Sequence, residues 1–306
     1  MKYIAPDYYK KFSCIADKCR HNCCIGWEID IDDKTLEYYK SVGGEIGERL
    51  KKNIAYQNST AYFKLAQNDR CPFLNSRNLC DIITELGEDK LCNICADHPR
   101  FRNFFGDRTE IGIGLSCESA ARLVLENKDK VRLITIQTDD TEETEYVEEQ
   151  SFYKFRERLF AMLQNREKPL NDRIADLHIT LPEKTYSEWS DIYAGMEILD
   201  PDWKMILKEL KNADKTNPIP PTDETPYEQL IIYFLYRHLP DGIYDGTLLA
   251  RVAFAIHAYQ TIRAICSVTG ETITEIARMY SAEIEYCADN TERLLDILSE
   301  ANYGEQ

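Results

Sequence analysis

Four thiols fall within eleven residues, at Cys14, Cys19, Cys23 and Cys24, and the last two are adjacent. Cys71, Cys80, Cys92, Cys95 and Cys117 follow, so nine of the eleven cysteines lie in the first 117 residues. Thiols crowd in this way for disulfides in an oxidising compartment or for soft-metal coordination in a reducing one. Reduced cysteine is also a common core residue. Met1 to Asp7 runs into polar sequence with no apolar stretch of a secretion signal. An odd number of thiols on a chain of this length argues against a small disulfide scaffold. Metal or iron–sulfur ligation follows as the leading reading, with all nine N-terminal cysteines as candidate ligands.

The element is less defined than the ligation. Four thiolates suit zinc and iron–sulfur clusters alike. The run Cys14-x4-Cys19-x3-Cys23-Cys24 is closer to cluster-style spacing than to paired knuckles, whereas Cys92-x2-Cys95 is common to both. Side chains of adjacent residues diverge, so one tetrahedral site rarely takes both Cys23 and Cys24. Either one is spare or they serve different centres. Nine thiols would supply two four-thiolate sites with one left over, or one site and structural thiols. His21 and His98 lie among them and read as surface or outer-shell groups ahead of ligands. Cys266 and Cys287 sit on helical patterns as packed thiols. His178, His238 and His257 read as core or groove residues. There is no Gly-x-Gly-x-x-Gly, Walker loop or Gly-x-Ser-x-Gly, which argues against an ordinary doubly wound nucleotide-binding domain.

The elements that must position these thiols are mainly helical, with short β-hairpins in a Cys-rich N-terminal region and a helical bundle after it. Residues 1–30 lack periodicity and read as a loop-rich shell ordered by its ligands. Asp32 caps a helix carrying Leu36, Tyr38 and Tyr39 that Gly43-Gly44 ends. Tyr62, Phe63 and Leu65 suggest a strand. Cys71 to Cys80 reads as a hairpin or knuckle turning at Asn75 to Asn78. Asp81 caps a turn that stops near Gly87, and 88–96 form another before Pro99. Phe101–Phe105 and Thr109–Ile113 pair as a hairpin, Ser116 caps a helix with Cys117 in its first turn, and Val131 to Gln137 alternates like a strand. The expected organisation is a metal-binding domain over 1–137, an acidic linker over 138–149 and a helical domain over 150–306. Within the last, Asp200-Pro201 opens a helix and 217–226 is a stiff extended segment. Further helices follow to His238, over 247–268, over 271–287 and to near Leu298.

The chain of 306 residues carries a net charge of -16. That surface repels nucleic acid and anionic lipid, and favours a partner that is basic at the point of contact. No stretch approaches the roughly 18 apolar residues of a membrane span. A soluble, cytoplasmic protein is expected.

One ordered set of motifs carries a resemblance. It runs Cys14…Cys19…Cys23-Cys24-x2-Trp27, Cys71-Pro-Phe-Leu…Leu-Cys80, Leu-Gly-Glu-Asp-Lys-Leu-Cys92-x2-Cys95-x2-His98-Pro-Arg100 and Leu-Ser-Cys117-Glu-Ser-Ala-Ala-Arg-Leu. Over roughly residues 3–125 it resembles the flagellin lysine-N-methylase (FliB) family. It is also similar to the zinc- or iron-chelating proteins with a Cys-x-x-Cys-x-x-Cys-Cys core. The chain departs in carrying His98-Pro99-Arg100 where Tyr-Pro-Arg is usual, and in longer first cysteine spacings. The resemblance implies methyl transfer from S-adenosylmethionine to flagellin lysines, with an iron–sulfur cluster (4Fe-4S) or zinc. On that reading Arg100 and Arg102 are candidates to hold the cofactor's carboxylate, against a structural salt bridge for each. The alternative is a non-catalytic metal-binding or electron-transfer module whose helical part docks a partner.

The division between clustered and scattered thiols is open to a direct test. Replacing Cys266 and Cys287 together by Ser is expected to leave metal content per chain unchanged; metal loss in that double variant would reverse the assignment.

Overall fold

The computed structural model describes residues 1–141, 143–216 and 222–303. Its packing divides the chain into two units, residues 13–100 and residues 1–12 with 101–306. This division runs elsewhere than the acidic stretch at 138–149. The first strand, β1 (Lys2–Pro6), belongs to the larger unit, although 1–30 reads as a loop-rich shell in sequence.

The smaller unit begins with turns and β2 (Ile29–Ile31). Asp32 then caps α1 (Asp33–Ser41), its Oδ1 accepting the Thr35 amide at 3.0 Å, as its side chain type predicts. A second helix, α2 (Gly44–Asn53), follows at once and buries Ile46 and Leu50. β3 (Ile54–Gln57) and β4 (Thr60–Phe63) complete a three-stranded sheet in the order β2-β4-β3. Two short helices, α3 (Asp81–Leu86) and α4 (Asn93–Asp97), close the unit. Phe63, Phe73, Tyr39 and Leu50 fill its core, together with Cys71 and Cys92.

In the larger unit β5 (Arg100–Phe104), β6 (Arg108–Ile113) and β7 (Leu133–Thr138) join β1 in the order β5-β6-β1-β7. β1 runs parallel to β6, with Lys2 opposite Arg108, and antiparallel to β7. Between β6 and β7 stands α5 (Glu118–Leu125), capped by Cys117 one residue later than the expected Ser116. The helices that follow are α6 (Val147–Leu163), α7 (Leu170–Ala175), α8 (Tyr186–Ala194) and α9 (Pro201–Leu210). Then come α10 (Ala213–Thr216), α11 (Thr225–His238), α12 (Gly242–Asp245) and α13 (Leu248–Thr269). The last are α14 (Ile273–Tyr280), which runs on into a π-helical turn over Ser281–Glu285, and α15 (Ala288–Tyr303). Of the extended segment expected at 217–226, residues 217–221 lie outside the described residues, and Thr225 already begins α11.

Buried polar groups tie this sheet to its helices. Arg156 of α6 meets Glu110 of β6 through two 2.6 Å bonds, with both side chains almost wholly buried. The Tyr236 hydroxyl of α11 donates to the carbonyls of Ile4 and Ile111 at 3.2 and 3.1 Å. These contacts place β1 and β6 with the bundle, where the sequence suggests a separate domain. The acidic stretch is also engaged: Asp139 takes the Met1 ammonium at 3.0 Å and the Thr144 amide donates to Gly106. α13 is apolar around most of its circumference and runs through the core. Among the described residues, no helix is long and apolar enough to cross a membrane.

Of the tail histidines, His238 and His257 are buried as expected, whereas His178 is exposed. His257 sits against Trp189 and its Nε2 lies 2.9 Å from the Tyr193 hydroxyl. Burial pushes it from 6.5 down to about 3. The unfolded chain therefore binds more protons than the fold between those two values, and stability falls as pH falls through that window. Between pH 7 and pH 5 the loss from this one group is about 2 kcal/mol. Urea titrations at the two pH values are expected to show it, and His257→Gln to show a smaller pH dependence than the parent. An equal dependence in both proteins would remove His257 as the source.

Candidate metal centre

Local hydrogen bonding explains how distant cysteines meet in the smaller unit. The Cys71 amide donates to the Cys24 carbonyl at 2.8 Å and the Gly26 amide to the Asp69 carbonyl at 3.0 Å, so residues 24–26 lie beside 69–71. From Cys71 the chain turns back through a bridge between Leu74 and Cys80. Asn75 builds that turn: its Oδ1 accepts the amides of Arg77 and Leu79 at 2.9 and 3.1 Å. Its Nδ2 donates to Asp81, which Arg49 also holds at 2.7 Å. Cys80 and Cys92 stand at the start of α3 and α4, and Cys95 is one turn into α4. Asp32 links this region to α1, accepting the Asn93 amide at 2.9 Å as well as that of Thr35. The Tyr39 hydroxyl donates to the Lys90 carbonyl at 2.8 Å.

The result is a group of five neighbouring thiols, Cys24, Cys71, Cys80, Cys92 and Cys95, whose charges act on one another. Desolvation pushes Cys71 up to about 11 and raises Cys80. Cys95 and Cys92 share a hydrogen bond, which raises Cys95 and lowers Cys92; Cys24 and Cys23 share another, which raises Cys24 and lowers Cys23. Burial and mutual repulsion raise Cys24 and Cys95 further. Backbone amides act the other way. Those of Phe73 and Leu74 favour the Cys71 thiolate, those of Ile82 and Ile83 the Cys80 thiolate, and that of Cys95 the Cys92 thiolate. Amides two and three residues past a cysteine, aimed at its sulfur, are what a turn that presents a thiolate to a cation supplies.

The donor set therefore fits a thiolate-bound metal in chemistry: crowded sulfurs, a largely apolar surround and amides that favour the anion. A soft cation would offset the desolvation that raises Cys71 and Cys80 and the repulsion among the thiolates. Among the described residues, no three Cys, His, Asp or Glu side chains already stand in the arrangement of a formed metal site.

Cys14 is exposed and accepts the Ala16 amide at 3.4 Å; Cys19 donates to the His21 carbonyl at 3.3 Å. Cys23 is exposed and its carbonyl accepts the Trp27 indole. The His98 ring lies 6.1 Å from that of Trp27, and burial lowers it to about 4. Cys117 belongs to the larger unit, as does Arg102, whereas Arg100 lies in the smaller unit and donates to the Ala96 carbonyl at 3.2 Å. Cys266 is packed against the core of the larger unit, and the Cys287 Sγ lies 3.7 Å from a Glu197 oxygen. Sequence reasoning took Asp32 as a helix cap alone; its position three residues before Thr35 gave no signal of the second bond to Asn93.

The chain is similar to the protein named Lysine-N-methylase of Salmonella typhimurium, 26% identical over 136 residues, which cover 42% of this chain and 33% of that protein. The Lysine-N-methylase of Salmonella choleraesuis matches to the same extent. The Flagellar biosynthetic protein FliU of Salmonella muenchen is 25% identical over 136 residues, 42% of this chain and 79% of that protein. The match thus spans about a third of the length of the two methylases. No family model and no solved structure matches the chain. The chain is a distant relative of proteins named for lysine N-methylation and for flagellar biosynthesis.

Proposed function

We propose that the protein is a lysine N-methyltransferase acting on flagellin, with S-adenosylmethionine as donor and a metal or iron–sulfur centre bound by cysteine. The observation that carries this reading is the distant match to two proteins named Lysine-N-methylase, joined by a flagellar relative. The net charge of -16 suits a substrate that presents lysines.

Cys24, Cys71, Cys80, Cys92 and Cys95 would hold the centre, with one thiol to spare if it takes four. Bound there, zinc or an iron–sulfur cluster supplies cross-links between the turns at residues 24, 71–80 and 92–95. For methyl transfer, the lysine ε-amine must first lose a proton, which an apolar surround and a nearby carboxylate or tyrosine promote. S-adenosylmethionine would supply the methyl group to that amine's lone pair, with S-adenosylhomocysteine as the leaving group. The second reading, a metal-binding or electron-transfer module without transfer chemistry, is favoured by one feature: the thiol group is built entirely within residues 13–100.

Two measurements separate the readings. Anaerobic purification with metal and sulfide analysis is expected to find the centre, and to find it lost in Cys92→Ser and Cys95→Ser but kept in Cys266→Ser. Incubation with methyl-labelled S-adenosylmethionine and flagellin from the same cell is expected to label lysines, and the two depleted variants to lose that labelling. A metal-loaded protein that leaves flagellin unlabelled would overturn the methyltransferase reading and leave the metal module.

A further inference from the structure

A buried carboxylate ordinarily has a cation beside it, because an isolated charge is costly in a medium of low dielectric. In the larger unit Glu110 has Arg156, Glu228 has Arg166 and Arg173, and Glu285 has Arg237 and His238. Glu149, in the first turn of α6, is different. Only 2% exposed, it meets neutral donors alone. Its Oε1 accepts the Tyr244 hydroxyl at 2.9 Å, and the Gly106 amide is shared between Oε1 and Oε2 at 3.2 and 3.1 Å. Glu283 also lacks an ion pair, but each of its oxygens has a backbone amide to itself. Among the described residues, Oε2 of Glu149 has no more than half of one.

Glu149 lines an open groove of about 490 Å3, formed by the turn between β5 and β6, the start of α6, and α12. Phe104, Tyr146, Ile243 and Tyr244 supply apolar walls, and Glu148 a second carboxylate. Phe104, Tyr146 and Tyr244 are 70%, 51% and 67% exposed, an unusual concentration of aromatic surface on so charged a chain. The floor is closely fitted. A Cβ on Gly106 would fall 2.2 Å from the Thr144 carbonyl oxygen and 2.6 Å from the Tyr146 ring, so only glycine lets these groups approach. An unpaired carboxylate framed by aromatic faces is the chemistry that receives an organic cation.

We propose that this groove docks a lysine side chain presented by a basic segment of a partner protein. The aromatic walls would cover its methylene stem, and the ammonium would complete Glu149. An ammonium fits better than a guanidinium, because a planar fork wants two free carboxylate oxygens and Oε1 is already taken. A trimethylated ammonium has no N–H left for Oε2 and would bind less well. The proposal rests on the methyltransferase reading only for the source of the segment. Docking here is binding and involves no group transfer.

The test is calorimetric titration of the full chain, without S-adenosylmethionine, against a short lysine-rich peptide and its arginine and trimethyl-lysine counterparts. The lysine peptide is expected to bind most tightly, and Glu149→Gln and Phe104→Ala each to weaken it about tenfold. Phe104 is exposed, so its replacement leaves the fold intact even if Glu149→Gln lowers stability. Glu183→Gln, an exposed change of the same charge outside the groove, is expected to leave affinity unchanged. Equal weakening by Glu183→Gln would reduce the interaction to general charge attraction and overturn the site, as would full affinity in Glu149→Gln and Phe104→Ala. Binding of the lysine peptide by a protein that leaves flagellin unlabelled in the separate methyl-transfer assay would sink the enzymatic reading and leave this one standing.

Discussion

Sulfur crowding is the constraint on which the smaller unit turns. Residues 13–100 bury a modest apolar core, in which Cys71 and Cys92 stand beside Phe63, Phe73 and Leu50. The thiols are part of that packing. Hydrogen bonds from Asn75, Asp32 and Tyr39 bring three separate turns to one place, and the sulfurs they deliver repel one another once charged.

The larger unit solves a different problem with different means. Its sheet is held to its helices by charges taken out of water in matched pairs, of which Glu110 with Arg156 is the most buried. Breaking such a pair from one side costs about 3–5 kcal/mol, because the remaining charge is stranded. The same reasoning explains why His257 stays neutral in an aromatic niche without a carboxylate, and why His238, which has Glu285 at 2.6 Å, is lowered against that partner's pull.

Legibility in the sequence followed the range of the interaction. Helix starts were readable where a side chain closes its own first turn, as at Asp32 and at Asp200-Pro201. The knuckle at Cys71 to Cys80 was readable because Asn75 and its neighbours make a turn out of local bonds. β1 was not readable as a strand of the larger unit. It pairs with Arg108 and Glu110 over a separation of more than a hundred residues, and five residues carry too little periodicity to announce that. The cysteines show the same limit. Their spacing marks them as one set, yet Cys117 folds with the helices, and Cys14 and Cys19 stay on an outer turn. The adjacency of Cys23 and Cys24 misled in the same way, because the divergence expected of neighbouring side chains is not seen: the two thiols share a hydrogen bond.

The net charge of -16 then has a more specific meaning than solubility. Most of it is spread over exposed acids that water and salt screen. One place is not of that kind. In the larger unit, Glu149 is held in a groove wall by neutral donors, with no cation supplied by the described residues. An organic cation is the partner that a carboxylate beside aromatic walls favours.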